Sequence, residues 1–226
     1  MIEFRNILID SFIYPFKDIR KIAILIIIFL GSFLIVPLFI GFGYLLKIVD
    51  HTLQGNDGFP DYGSLSDLLS RGLKFFAINL IYSLLFGLFV MMASLPFVYS
   101  VTNHSTLLII NQIISFIISY IINWLFVLGL ANMVYNRRFS SGINFSQIFG
   151  RIAMFGHKKY SWYILLYSII IFLIQIPGLI MNLFGDKLPS SAFAILIGWN
   201  IIALLYISIV KSRFSGLMYP QKSHVE

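Results

Sequence analysis

The sequence has no cysteine, few charged residues and fewer carboxylates than bases. Without cysteine the chain forms no disulfide, no thiolate metal site and no thiol nucleophile. Charged residues make up 11% of the 226 positions, whereas a soluble domain carries roughly 25%. A water-soluble fold would therefore lack the polar surface that it needs, and the composition excludes that class.

Residues typical of catalytic sites are also scarce. The chain has no HExxH, GxSxG or P-loop pattern, and its four histidines fall in predicted loops or in the tail. We therefore expect no enzymatic activity, no cofactor and no metal. One alternative is a lipid-headgroup enzyme that uses Asp50, His51, Asp57 and Asp61 in the polar loop 50–63. These carboxylates could also bind a divalent cation, but Asn-Asp-Gly and Pro-Asp are ordinary turn sequences, which favours a solvated turn.

Long apolar runs dominate the rest of the sequence. Hydrophobic residues reach 59% and the mean hydropathy is +0.90, and a helix needs ~20 apolar residues to cross a bilayer. The sequence therefore predicts an all-α fold, a polytopic transmembrane helical bundle that forms a single membrane domain over residues 1–226. The four clear spans lie at about residues 75–99, 107–134, 161–184 and 192–211.

The first apolar run, residues 22–49, is too long for one comfortable span and too short for two. Its glycines and proline weaken a helix. A single tilted span would place Lys21 and Lys47 on opposite sides of the membrane. A broken segment or hairpin that turns near residues 32–37 keeps both on one side, and the distribution of bases favours that arrangement.

Three amphipathic segments are expected at the membrane interface, namely residues 1–21, 64–76 and 144–156. Ser64 is the predicted N-cap of the second segment, with Asp67 three residues later as in a capping box. The tail, residues 212–226, is polar and is expected to be a mobile cytoplasmic segment.

Lysine and arginine are distributed unevenly around the apolar runs. Residues 135–160 carry bases but no carboxylate, and loops rich in Lys and Arg stay on the cytoplasmic side. We therefore expect a multi-pass protein of the plasma membrane with both termini in the cytoplasm. Its expected partners are anionic membrane lipids, with room for a protein partner at the cytoplasmic face and no nucleic acid. The candidate lipid-headgroup contacts are Arg71, Arg137, Arg138, Arg151, Lys158 and Lys159.

A stripe of polar residues runs along the uncharged span at residues 107–134. Its members fall four apart and are Asn111, Ser115, Ser119 and Asn123. Hydrogen bonding between helices, worth ~0.6 kcal/mol per pair on average, is the favoured interpretation. The alternative is a solute path along this stripe and the amides Gln175, Asn182 and Asn200.

Two segments come into register when the chain is shifted by 80 residues. Residues 64–71, Ser-Leu-Ser-Asp-Leu-Leu-Ser-Arg, lie over residues 144–151, Asn-Phe-Ser-Gln-Ile-Phe-Gly-Arg. A parallel repeat of this kind is found in transporters, which bind substrate at the repeat interface. The repeat predicts that Arg71 and Arg151 occupy equivalent places on two interfacial helices. Two amphipathic helices can also look alike because both obey one periodicity.

Several short motifs resemble the largely archaeal membrane family known as domain of unknown function 4013. They are Tyr14-Pro15-Phe16-Lys17-Asp18, Gly43-Tyr44, Gly55 with Phe59-Pro60-Asp61, and the helix from Ser66 that closes on Arg71-Gly72-Leu73. The family usually has Leu-Pro-Glu-Trp where this chain has Phe59-Pro60-Asp61-Tyr62, so the match there is by residue type. The resemblance implies a multi-pass membrane protein and supplies no activity and no functional residue.

Three classes of function are consistent with these patterns. Ion-coupled carriers usually keep a carboxylate or histidine within the bilayer, and the predicted span cores contain none. The favoured function is a non-enzymatic membrane scaffold or subunit that contacts anionic lipid. A passive or lipid-directed transporter built on the parallel repeat and a lipid-headgroup enzyme are the alternatives.

Overall fold

The computed structural model describes residues 4–31, 34–100, 103–184 and 188–220, most of which are helical and none of which forms a strand. The α-helices in chain order are α1 Phe4–Ile13, α2 Ile19–Leu30, α3 Ile35–Leu53, α4 Leu65–Ser100, α5 His104–Tyr135, α6 Phe145–Phe155, α7 His157–Phe184 and α8 Ser190–Leu217. Short 3₁₀ turns occur at Tyr14–Lys17 and Phe139–Gly142. The predicted all-α class is confirmed.

Five of the described helices, α3, α4, α5, α7 and α8, are long and apolar enough to cross a membrane. Many of their large apolar side chains are exposed, as at Ile113, Leu173 and Ile195. A surface of this kind is stable against hydrocarbon rather than water. The chain is a multi-pass membrane protein, as the sequence predicts.

The first apolar run is broken. Helix α2 has 12 residues, which is about 18 Å of helix and too short to cross a bilayer. Gly31 caps α2, and the Phe29 ring lies against Phe42 of α3 at 6.0 Å between centroids. Lys21 and Lys47 both bond to the same loop, at the carbonyls of Phe59 and Tyr62. The two helices therefore form a hairpin, while positions 32 and 33 of the expected turn lie outside the described residues.

Helix α4 corrects the prediction of a separate interfacial helix at residues 64–76. The helix runs unbroken over 36 residues. Leu68, Gly72 and Phe75 are buried, so the packed face of the membrane span continues through the predicted interfacial segment. The predicted cap is present, since the Ser64 hydroxyl accepts the N–H of Asp67 at 3.3 Å. Helix α6 does form a separate element and ends at Gly156, which has a φ of 95°.

The expected mobile tail is also corrected in part. Helix α8 continues to Leu217, and residues 212–216 are buried. Helix α1 packs against this end of α8, where the Tyr206 hydroxyl donates to the Phe12 carbonyl at 2.8 Å. Residues 221–226 of the tail lie outside the described residues.

The packed core lies at one end of the bundle. We call this the charged end; there α3, α5 and α8 finish and α4 and α7 begin. Its fully buried side chains include Tyr44, Phe126, Tyr160 and Phe214. We call the other half, made of residues 84–100, 106–123, 169–181 and 190–205, the open half, because most of its described side chains are exposed or only partly buried.

Candidate functional site

A buried arginine in α8 ties three parts of the chain together at the charged end. The Arg213 side chain is 2% exposed, and its guanidinium donates to Asp10 of α1 at 2.7 Å and to Asp57 at 2.8 Å. It also donates to the Asn56 carbonyl at 2.6 Å and lies over the Tyr14 ring at 4.8 Å. Arg213 therefore fixes α1 and the loop 54–64 onto the end of α8.

The charge of Asp10 is stabilised by its neighbours. Burial raises the pKa of this carboxyl, but hydrogen bonds from Lys17 and Arg213 lower it by more, so the pKa lies below its ordinary value. Asp10 is therefore ionised at neutral pH and remains bonded to Arg213. This pair is structural, and the sequence does not reveal it because Lys211 and Arg213 resemble an ordinary basic flank at the end of a span.

The predicted loop at residues 50–63 starts later than expected, because α3 continues to Leu53, and the rest of it is folded onto the bundle rather than fully solvated. Phe59 is 7% exposed and stacks on Tyr14, and the hydroxyl of Tyr44 donates to the Pro60 carbonyl at 2.9 Å. Its tip, residues 54–58, is exposed, as are Asp61 and Gly63, while Phe59 and Pro60 are buried. The sequence misses this because the anchoring rings lie outside the loop, Tyr44 on α3 at 16 residues from Pro60 and Tyr14 on the turn after α1 at 44 residues from Gly58.

The loop carboxylates do not converge on one centre. Asp50 pairs with Arg71, Asp57 with Arg213, and Asp61 with Lys21. The described residues contain no group of three His, Asp or Glu side chains that could hold a metal ion. Dispersed in this way, the carboxylates act as partners for bases.

A cavity of about 300 Å³ opens between α3, α4 and the end of α5. We call it the basic cavity. Arg71 donates to Asp50 at 2.7 Å and to Asp67 at 2.8 Å, so both carboxylates are already bonded. The remaining bases of the lining are Lys74, Arg137 and Arg138, which are exposed and lie beyond ion-pair distance of every described carboxylate.

Three of the six predicted headgroup contacts therefore share one cavity, and three do not. Arg71, Arg137 and Arg138 line the basic cavity. Arg151 instead lies over the ring of Tyr219 at 4.8 Å and that of Tyr135 at 5.4 Å. Lys158 and Lys159 are exposed at the start of α7.

The two arginines of the predicted repeat have different surroundings. Arg71 is half-buried between two carboxylates in a continuous helix, whereas Arg151 is covered by tyrosine rings in the separate helix α6. Both lie at the charged end, as the repeat predicts. The two arginines are not equivalent in their contacts, because the helix that carries Arg71 packs along its length against α3 and the helix that carries Arg151 does not.

The polar stripe of α5 faces two adjoining cavities in the membrane-spanning part of the bundle. One is about 140 Å³ and the other about 200 Å³, and both are lined by Gln112, Phe172 and Gln175. We call the pair the polar groove. Its polar lining is Gln112, Ser115, Ser119, Asn123, Ser168, Gln175 and Asn200.

One member of the predicted stripe lies outside the lining of the groove. Asn111 does not line the groove, and Gln112 takes its place. Each step of four residues rotates a side chain by about 40° around a helix, so three such steps carry Asn111 well away from Asn123. The step of three residues from Gln112 to Ser115 rotates the side chain the opposite way and cancels part of that rotation. This spacing is the feature of the sequence that could have indicated Gln112 as a member of the stripe.

Two amides of the groove make their described hydrogen bonds within one helix rather than between helices. The Asn123 amide donates to Ser119 on its own helix at 3.3 Å, and the Asn200 amide donates to the Leu196 carbonyl one turn earlier at 2.8 Å. Asn182 was expected on the same path, but its side chain lies outside the described residues. The described amides thus keep hydrogen-bonding capacity that faces the groove.

Comparison with known proteins gives a family and nothing more specific. The model of one family, described as a protein of unknown function (DUF4013), matches residues 24–183. This range covers α3 to α6, nearly all of α7 and the lining of the basic cavity, while the α8 side of the polar groove lies outside it. No curated protein and no solved structure matches the chain. With the match extending over more than half of its length, the chain belongs to the DUF4013 family, as its short motifs indicate.

Proposed function

We propose that the protein is a non-enzymatic membrane scaffold or subunit that binds anionic lipid headgroups in the basic cavity. The observation that carries this proposal is the imbalance of charge in its lining. Four bases face two carboxylates, and Arg71 bonds to both carboxylates. Lys74, Arg137 and Arg138 are left to bind a phosphate.

The position of these bases suits a lipid ligand. Arg137 and Arg138 lie two and three residues after Tyr135, the last residue of α5, and Lys74 lies in the third turn of α4. A base next to the membrane contributes roughly 1 kcal/mol of attraction to an anionic surface. Arg side chains also match phosphate geometry with two parallel N–H donors.

The sidedness of the charged end belongs to the same proposal. Bases crowd this end, and the positive-inside tendency places it in the cytoplasm, with the protein in the plasma membrane. Ser140 at the charged end and Asn103 at the opposite end are both exposed. Since the chain has no cysteine, S140C and N103C can be labelled singly in intact cells with a membrane-impermeant thiol reagent. We expect labelling at position 103 alone, and labelling at position 140 alone would reverse the topology.

Lipid preference provides the direct test. Purified protein is exposed to equal amounts of phosphatidylglycerol and phosphatidylcholine in mixed micelles, and bound lipid is counted by native mass spectrometry. We expect a preference for phosphatidylglycerol that falls by up to roughly thirty-fold in the double variant R137Q/R138Q, since two bases together contribute about 2 kcal/mol.

The matched control is the double variant K158Q/K159Q. It removes the same charge from the same end of the bundle, but these lysines lie outside the basic cavity. Equal losses in both double variants would mean that net charge, rather than the cavity, attracts the lipid, and the proposed site would be withdrawn.

The polar groove favours passive or lipid-directed transport as a second candidate function. Its amides face a cavity within the spanning helices instead of pairing across helices. Release of small solutes from proteoliposomes, compared between the wild type and Q175L, tests it. Gln175 lines both cavities and is exposed, so its replacement should lower flux without unfolding the bundle. Unchanged flux would contradict the transport function and leave the scaffold as the only proposed function.

A further inference from the structure

Lys211 is a base within the span-capable helix α8 that has no carboxylate partner among the described residues. It is half-buried, and its ammonium lies 3.8 Å from the centroid of the Phe126 ring on α5. Ionisable groups in membrane helices are costly and usually mark a functional site. Neither the basic cavity nor the Arg213 cluster includes Lys211.

The contact between Lys211 and Phe126 continues the two helix faces that line the polar groove. On α8 the groove is lined by Leu204 and Ile207, and Lys211 follows them by seven and four residues. On α5 it is lined by Ser119 and Asn123, and Phe126 follows by seven and three. Residues at these spacings share one helix face. The contact thus lies about one turn, ~6 Å, beyond the groove on the side of the charged end.

The lining of the groove suits a negatively charged ligand. Its polar side chains are amides and hydroxyls, and the described lining contains no carboxylate. Amide NH₂ groups and hydroxyls can all donate hydrogen bonds to an anion. A single positive charge at one end of the groove would attract an anion strongly, because the low dielectric of the bundle weakens this attraction far less than water does.

We propose that the polar groove binds a small monovalent anion, with Lys211 as its counter-charge and Phe126 closing the groove toward the charged end. Binding at this site does not depend on the proposed lipid function, and only movement of the anion depends on the transport candidate. The competing interpretation is a cation–π pair that merely stabilises the contact between α5 and α8.

Chloride is the probe, and the broadening of its ³⁵Cl NMR line by the purified protein in detergent reports binding. We expect the wild type to broaden the line and K211M to lose most of that effect. K158M is the matched control, since it removes an exposed lysine outside the groove and should behave as the wild type. Equal broadening by the wild type and K211M would overturn the proposal.

The absence of cysteine allows a chemical rescue that separates charge from fold. K211C can be modified with aminoethyl methanethiosulfonate, which restores an ammonium group, or with its neutral methyl analogue. We expect the ammonium alone to restore line broadening, with circular dichroism showing the same fold in both adducts. Restoration by both reagents would show that the charge is irrelevant. If neither adduct folds, Q175L takes their place, and undiminished broadening by that variant would overturn the proposal.

Flux and binding together separate this proposal from the transport candidate. Chloride release from proteoliposomes is driven by a valinomycin-set potential for the wild type and K211M. Binding without flux keeps the anion site and removes the transport candidate. If both proteins release chloride at the same rate, the protein conducts the anion without help from Lys211, which contradicts the proposal.

Discussion

The charged end and the open half are held together by different contacts, although the same helices run through both. At the charged end, hydrogen bonds cross between segments, as from the Tyr82 hydroxyl to the Gly142 carbonyl at 3.0 Å and from the Tyr160 hydroxyl to the Trp124 carbonyl at 2.7 Å. In the open half, Ser100 and Asn200 donate to carbonyls of their own helices. The described bonds that cross from the open half to another helix include those from Trp199 to the Ile174 carbonyl and from Tyr120 to the Ser161 carbonyl, both on α7.

The difference has a physical basis in the membrane. Lipid tails are as apolar as leucine side chains, so helices gain little from burying apolar surface against each other. Close packing at small residues and cross-helix polar contacts must hold them, and these are concentrated at the charged end. The open half is left free to form a groove.

Replacing Arg213 should give the largest loss of stability. R213M removes the bonds to Asp10 and Asp57 and leaves the partly buried Asp10 with Lys17 as its remaining described partner. Breaking a buried pair costs about 3–5 kcal/mol, and we expect about 3 kcal/mol because both carboxylates are partly exposed. Thermal unfolding in detergent, followed by circular dichroism, measures it. K158M is the surface control, and equal melting temperatures for the two variants would show that the cluster does not hold the charged end.

Two glycines of α4 allow the packing of the charged end and of the open half to be compared within a single helix. A Cβ at Gly72 would clash with the Phe39 carbonyl of α3, whereas a Cβ at Gly87 meets nothing within 4 Å. G72A should lower the free energy of unfolding by about 2 kcal/mol, as overpacking does. G87A should be neutral or slightly stabilising, because alanine is the better helix former. Similar effects of both substitutions would mean that the two halves are packed alike.

The contrast between the halves also explains what could be predicted from the sequence. Apolar length and periodicity identify the spans, because a membrane helix needs them whatever it contacts. They do not reveal Arg213, since its partners Asp10 and Asp57 lie 203 and 156 residues away along the chain. The continuity of α4 could not be predicted for the same reason. The composition of its first turns is typical of an interfacial helix, and it is the packing against α3 that stabilises them as part of one long helix.

Acid should weaken the charged end through Asp10, with a smaller effect than loss of Arg213. Because the folded-state pKa of Asp10 lies below its ordinary value of 3.8, its contribution is full above that pH and is lost as the pH falls through the folded-state pKa. D10N should cost about 1.5 kcal/mol at pH 7, the lower range for a bond to a charged group. The difference in unfolding free energy between wild type and D10N should shrink as pH decreases below 3.8. A difference that is constant with pH would exclude Asp10 as the titrating group.

The smallest effect on stability is expected in the open half, at Asn123. Its amide bonds only to Ser119 of the same helix among the hydrogen bonds that the structure describes, so N123L should cost no more than ~0.6 kcal/mol, the average for a polar contact in a membrane bundle. Asn132 is the matched control on the same helix. It donates to the Ser141 carbonyl and to Gln147 and accepts from Tyr219, and N132L should cost about 2 kcal/mol because buried partners lose their bonds. Thermal unfolding of the two variants under one set of conditions makes the comparison. If N123L is as destabilising as N132L, the open half is cross-linked as firmly as the charged end, and the groove is part of the packing rather than a site for a solute.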